Sequence, residues 1–212
     1  MNLTGIYAIT DDTLLPSAQL LRACESALTE GIALLQYRSK SGDAAERLEH
    51  AQALSALCAR FDTPLLINDD VELCLATGAS GVHLGREDAS LASARERLGD
   101  KALIGVTCHA SIEYARKAEQ QGADYVAFGR FFPSLTKPQA AQAQLNLLVE
   151  ARAQLTVPIV AIGGINAQNG ASVIEAGADM LAVIHSLFGQ QDVAQQTRAL
   201  NALFSGQPRS SK

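Results

Sequence analysis

Gly78-Ala79-Ser80, Gly122-Ala123-Asp124 and Gly177-Ala178-Asp179 decide the fold. Each phrase follows a stretch rich in Ala, Leu, Glu, Gln and Arg and opens a short apolar run; Gly31-Ile32-Ala33 is a fainter copy. Glycine is favoured just past a helix C-terminus, where the chain takes a left-handed turn. The phrase therefore reads as helix end, tight turn and strand start. Working outward from it, eight strand-like runs emerge: Gly5–Thr10, Ile32–Tyr37, Pro64–Asn68, Gly81–Leu84, Leu103–Thr107, Asp124–Gly129, Pro158–Ile162 and Asp179–Ile184. Helical spacing fills the gaps. In Ala44–Arg60 the residues Leu48, Ala51, Leu54, Ser55 and Cys58 share one face, and Ile112–Gln121 is another such stretch. The runs are more continuous than alternating, as in strands buried on both faces of a parallel sheet. Eight strand-helix units predict an α/β fold, a single (β/α)8 TIM barrel over residues 1–204, followed by a flexible Gly/Pro/Ser-rich tail over 205–212. An open doubly wound sheet is the alternative, but the first run lacks the G-x-G-x-x-G loop of its dinucleotide-binding version.

Composition narrows the partners. The 212 residues suffice for one large domain, and 48% hydrophobic with 18% charged residues excludes bulk disorder. No apolar run approaches the ~18 residues of a membrane helix. No basic start precedes an apolar stretch, so a cytoplasmic protein without a secretory leader is expected. Lys and Arg number 17 against 22 Asp and Glu, a net charge of −5, so neither nucleic acid nor an anionic membrane is an expected partner. An anionic ligand would need a local cluster of positive groups. Cys24, Cys58, Cys74 and Cys108 are widely spaced without C-x-x-C and read as reduced core residues.

In such a barrel the chemistry sits at the mouth formed by the loops after the strands. Those loops carry Thr10-Asp11-Asp12, Gln36-Tyr37-Arg38-Ser39-Lys40, Asn68-Asp69-Asp70, His83-Leu84-Gly85 with Asp88, Thr107-Cys108-His109, Gly129-Arg130 through Lys137, Gly163-Gly164-Ile165-Asn166 and Ile184-His185-Ser186. Cations, carboxylates, hydroxyls and glycines together point to a polar, charged ligand. Gly163-Gly164 follows the seventh run, where backbone amides usually cradle phosphate; a plain strand-to-helix turn is the alternative. Arg38 and Lys40 lie two apart, so on an extended segment they point the same way. Lys137 shares a loop with Ser134 and Thr136, a density of phosphate-type donors, although solvated loop charges would look similar. Asp69 and Asp88 come from adjacent strands and could grip one Mg²⁺, with phosphate oxygens and water completing its shell. Helix capping is the rival reading for Asp70 and Asp88, and it is the expected role of Asp70. His50 falls in a helix and reads as solvated. His83, His109 and His185 end different strands without metal or triad spacing, so hydrolase and zinc chemistry rank low.

In order along the chain, Tyr7-Ala8-Ile9-Thr10-Asp11, Gln36-Tyr37-Arg38-Ser39-Lys40, Leu66-Ile67-Asn68-Asp69-Asp70, Gly81-Val82-His83-Leu84-Gly85 with Asp88, Ile104-Gly105-Val106-Thr107, Ser134-Leu135-Thr136-Lys137 and Ala161-Ile162-Gly163-Gly164-Ile165 resemble the thiamine-phosphate synthase family. The resemblance implies a transferase. It would join 4-amino-2-methyl-5-(diphosphomethyl)pyrimidine to 4-methyl-5-(2-phosphoethyl)thiazole, releasing diphosphate and forming thiamine phosphate. It implies that Gln36, Arg38, Lys40 and Asn68 hold the pyrimidine diphosphate and that Asp69 and Asp88 bind Mg²⁺. Thr107 stands where Ser is usual near the pyrimidine and diphosphate. Ser134, standing where Thr is usual, and Thr136 would contact the thiazole phosphate. Lys137 would bind diphosphate, and Arg38, Lys40 and Lys137 would carry the charge stabilisation. Gly164 would receive the thiazole phosphate with the last turn, Ile184-His185-Ser186. There His185 replaces a usual small Ser, and Ser186 could substitute. Arg130 replaces a common Pro and Arg86 a common Gln; neither is assigned a catalytic role.

The implied pathway is dissociative: the pyrimidine's amino group stabilises a cation at the exocyclic carbon, and the thiazole nitrogen captures it. That nitrogen carries a lone pair, so no catalytic base is required, and none is evident. The two alternatives are a thiazole-phosphate tautomerase using His109 for proton transfer, which would not need Asp69, Asp88 and Lys137, and a non-catalytic phosphometabolite sensor. Gly129–Ala140 is the loop expected to close over substrate. Oligomeric state is left open, a homodimer included.

Overall fold

The computed structural model describes residues 3–85, 90–133 and 142–205. Strands and helices alternate as β1 (Gly5–Ile9), α1 (Ser17–Thr29), β2 (Leu34–Tyr37), α2 (Ala44–Arg60), β3 (Leu65–Asn68), α3 (Val71–Thr77), β4 (Gly81–Leu84), α4 (Leu91–Leu98), β5 (Leu103–His109) and α5 (Ile112–Gln120). They continue as β6 (Tyr125–Gly129), α6 (Asn146–Gln154), β7 (Ile159–Ile162), α7 (Gly170–Glu175), β8 (Met180–Val183), α8 (His185–Phe188) and α9 (Val193–Asn201). The strands close into a parallel barrel in chain order. β8 returns to β1 with Gly5 opposite Met180 and Ala8 opposite Val183, so the open-sheet alternative falls.

The continuous apolar runs are explained by two cores. Alternate side chains of a strand face opposite ways. On β1, Ile6 and Ala8 pack outward against the helices, whereas Tyr7 and Ile9 face the barrel interior with Leu34, Leu66, Val160 and Met180. Leu84, Ile104 and Phe128 join the outer layer. The four cysteines are buried and free, and burial pushes Cys58 and Cys108 up to about 12 and Cys74 to about 11. Such thiols stay protonated at neutral pH, as core residues do.

The repeated phrase acts as read, and Asp adds a second function. Gly78 takes the left-handed conformation at the end of α3 (φ 63°). In the two Gly-Ala-Asp copies the Asp folds back to the neighbouring strand. Asp124 accepts the Ile104 amide at 2.7 Å and Asp179 accepts the Ile159 amide at 2.7 Å. An arginine from the helix before that neighbouring strand clamps each turn. Arg95 of α4 pairs with Asp124 at 2.7 Å and donates to the Gly122 carbonyl; Arg152 of α6 pairs with Asp179 and donates to the Gly177 carbonyl. These clamps lie at the strand starts, away from the mouth.

Three details differ from the sequence reading. Leu57 joins Ala51, Leu54 and Cys58 on the buried face of α2, while Leu48 and Ser55 are only half-buried. His50 is not solvated: its ring packs edge-on against Tyr37, 6.3 Å between centroids, with 20% of the side chain exposed. The eighth run stops at Val183, and His185-Ser186 begin α8 instead of ending a strand. Of the expected tail, residues 206–212 lie outside the described residues. Among the described residues no helix is long and apolar enough to cross a membrane.

Candidate active site

The strand ends surround a cavity of about 960 Å³ at the barrel mouth. Every expected site residue that the structure describes lines it: Gln36, Arg38, Lys40, Asn68, Asp69, Thr107, Gly164, Ile184, His185 and Ser186. Asp88, Ser134, Thr136 and Lys137 lie outside the described residues, as do Arg86 and most of the expected closing loop.

Arg38 and Lys40 face the cavity together, and local chemistry holds them there. Thr10 accepts the Arg38 amide at 2.8 Å and donates to the Arg38 carbonyl at 3.1 Å, tying β1 to β2 at the rim. The Arg38 guanidinium pairs with Asp11 at 3.0 Å, with only 14% of its side chain exposed. Asp12 organises the next turn. Its carboxylate accepts the Lys40 amide at 2.7 Å and both the amide and hydroxyl of Ser41. Burial raises the Asp12 carboxyl, but the Ser41 and Lys40 donors outweigh it and hold it at about 2.

The Lys40 ammonium lies 3.5 Å from the Asp69 carboxylate, so acidic and basic groups share one rim. Asp69 sits at the end of β3 in the left-handed region (φ 62°), an uncommon conformation for a residue with a side chain. Its backbone amide donates to the His83 carbonyl at 2.9 Å, and its carboxylate accepts from the Asn68 side-chain nitrogen Nδ2 at 2.5 Å. Asp70 is the N-cap of α3, accepting the Leu73 amide at 2.9 Å, as expected. Among the described residues no group of three or more His, Cys, Asp or Glu could hold a metal alone. A hard cation that takes one or two carboxylates and fills its shell with phosphate oxygens fits Asp69, which brings a hard oxygen donor beside the rim cations.

Across the mouth, Gly163 (φ 105°) and Gly164 (φ 66°) form the turn after β7. A Cβ on Gly163 would overlap Arg130, and one on Gly164 would overlap the Pro133 carbonyl. The glycines are thus required for close packing of two mouth loops, whatever they bind. Asn169 pins the turn by donating to the Gly164 carbonyl at 3.0 Å and accepting the Asn166 amide at 2.9 Å. In α8 the Ser186 hydroxyl is buried and has no hydrogen-bond partner among the described residues. The His185 ring lies close to Gly189, the C-cap of α8, where a Cβ would overlap it.

The cavity floor carries groups that sequence reasoning missed as a unit. Gln36, 2% exposed, donates from its amide nitrogen to the Tyr7 hydroxyl. The Tyr7 and Tyr125 hydroxyls are 2.8 Å apart, Tyr125 lies 2.8 Å from His83 Nδ1, and His83 Nε2 lies 2.7 Å from the Thr107 hydroxyl. Burial pushes both phenols up, so they remain neutral. Strand tyrosines read simply as core, and the Tyr7–Tyr125 link spans 118 positions. No local pattern could reveal it.

A closed (β/α)8 barrel with a mixed-charge rim and a glycine turn after β7 defines a class of enzymes acting on small phosphorylated molecules. Within that class the thiamine monophosphate synthase profile matches residues 6–187, and the chain belongs to that family. It is 54% identical over 199 residues to the thiamine-phosphate synthase of Saccharophagus degradans, covering 93% of this chain and 92% of that one. Identity to the thiamine-phosphate synthase of Thiobacillus denitrificans is 50% over 205 residues, covering 96% of each. The solved thiamine phosphate pyrophosphorylase of Pyrococcus furiosus superposes with a TM-score of 0.87 at 34% identity, over 95% of this chain and 96% of that one.

Proposed function

We propose that the mouth condenses 4-amino-2-methyl-5-(diphosphomethyl)pyrimidine with 4-methyl-5-(2-phosphoethyl)thiazole, giving thiamine phosphate and diphosphate. The observation that carries this reading is the meeting of Arg38, Lys40 and Asp69 on one rim above a buried polar floor. Diphosphate leaves readily only if its developing charge is neutralised by groups already in place. The Arg38 guanidinium is held by Asp11, so it need not reorganise as charge develops, and the Asp12 turn fixes the backbone from which the Lys40 side chain reaches the rim. Lys137 is assigned to the same leaving group. Gln36 and Asn68 hold the pyrimidine end, and Thr107 stands near both the pyrimidine and the diphosphate. Gly164 with the Ile184-His185-Ser186 turn, and Ser134 with Thr136, receive the thiazole phosphate.

Asp69 and Asp88 are the proposed ligands for Mg²⁺, which when bound supplies charge neutralisation to the diphosphate oxygens. The remaining work of the chain is to orient the thiazole nitrogen and exclude water from the exocyclic carbon. That nitrogen needs no deprotonation, so His109, at the mouth end of β5, is not assigned a proton-transfer role. The four cysteines are buried without disulfide pairing, which fits a reducing, cytoplasmic setting. Purified protein with Mg²⁺ and both substrates is expected to form thiamine phosphate; a folded protein that forms none contradicts the proposal.

A further inference from the structure

With His83 as a neutral imidazole and each hydroxyl both donating and accepting once along the chain, the floor network Gln36–Tyr7–Tyr125–His83–Thr107 runs in one of two directions. Each hydroxyl donates one hydrogen, and a neutral imidazole donates at one nitrogen and accepts at the other. In the first polarity Gln36 donates to Tyr7, Tyr7 to Tyr125, Tyr125 to His83 Nδ1, and His83 Nε2–H to Thr107. The Gln36 carbonyl oxygen and the Thr107 hydroxyl hydrogen are then left for the cavity. In the second polarity every link reverses. Gln36 then offers only amide hydrogens, and Thr107 only lone pairs. The two ends cannot switch separately without leaving a buried donor or acceptor unsatisfied.

The ligand chemistry chooses between them. An aminopyrimidine presents an N–H₂ donor beside ring-nitrogen acceptors, so it can meet Gln36 in either orientation, whereas a diphosphate presents only acceptors. The first polarity gives the diphosphate the Thr107 hydrogen and leaves the Gln36 oxygen for the amino group; the second turns Thr107 lone pairs towards the diphosphate. We propose that Tyr7, Tyr125 and His83 are positioning residues that lock Gln36 as an acceptor for the pyrimidine amino group and Thr107 as a donor to the diphosphate. This rests on the function proposed above. The packing is built for it: Gly105 of β5 leaves room for the Tyr125 ring, which a Cβ there would overlap. The Tyr125 and His83 rings stack at 5.7 Å with a 21° interplanar angle, and Tyr7 meets Tyr125 edge-on at 5.8 Å. The rings are thereby held where their polar atoms align.

The test is steady-state kinetics of Tyr125→Phe and Tyr7→Phe, each removing one hydroxyl and keeping the ring. KM for the pyrimidine diphosphate is expected to rise about tenfold, while KM for the thiazole phosphate stays within about twofold. Thr107→Val is expected to raise the pyrimidine KM less in the Tyr125→Phe background than in the wild type, because the relay is already broken. A wild type that makes no thiamine phosphate sinks the proposed function, and the relay with it. An active wild type whose two Phe variants keep a normal pyrimidine KM, or raise both KM values alike, sinks the relay alone. If the variants do not fold, ¹⁵N NMR of the wild type bound to the pyrimidine diphosphate decides. His83 protonated at Nε2 agrees with the relay, and His83 protonated at Nδ1 overturns it.

Discussion

At the scale of single residues, the rim depends on charges whose surroundings are already arranged. Lys40 and Asp69 sit 3.5 Å apart, and Arg38 is held by Asp11. Lys40→Ala, Lys137→Ala and Asp88→Ala are each expected to lower kcat/KM by roughly 10²-fold or more, the scale of losing one charge-stabilising group. Near-normal rates in all three would place the leaving group elsewhere. His109→Gln is expected to stay active, and inactivation with intact folding would favour proton transfer. Asp12 gives a pH signature. Its carboxyl is held at about 2, below its ordinary 3.8, so its contribution to stability is complete above about pH 4 and is lost as the pH falls towards 2. The Tm difference between wild type and Asp12→Asn is therefore expected to narrow over that interval; a constant difference would remove Asp12 as the organiser of the Lys40 turn.

At the scale of elements, the Gly-Ala-Asp phrase marks where strands begin and also joins each turn to its neighbours. Arg152 donates to the Gly177 carbonyl and pairs with Asp179, with 32% and 31% of the two side chains exposed. Arg152→Ala is expected to cost about 1–3 kcal/mol in denaturant unfolding, the range for hydrogen bonds to charged groups and their abandoned partners, with kcat/KM unchanged. A loss of activity at full stability would contradict a purely architectural clamp. The strand and helix pattern was legible because each unit buries both faces of its strand and one face of its helix. The ends of α2 agree with the sequence reading to the residue, since Asp43 caps it and its amphipathic stripe is long. The Arg clamps were not legible, because each arginine meets a turn more than 20 positions away.

At the scale of the whole molecule, closure of the barrel turns a scattered set of strand-end residues into one cavity. Gln36, Asn68, Thr107 and Gly164 could be singled out from strand-end position, since the fold fixes which end of every strand faces the mouth. The relay beneath them escaped notice because Tyr7 and Tyr125 occupy positions that periodicity alone assigns to the core. His83 shows no metal or triad spacing in the sequence, and its bonds to Tyr125 and Thr107 place it in the relay instead. The central claim is that this single mouth holds both substrates, with the diphosphate against the mixed-charge rim. A crystal structure of the protein with Mn²⁺ in place of Mg²⁺ and an unreactive pyrimidine diphosphate analogue tests it most directly. The account predicts an anomalous metal peak ligated by Asp69, with the diphosphate between that metal and the side chains of Arg38 and Lys40. A diphosphate bound away from that rim, with no metal at Asp69, would contradict it.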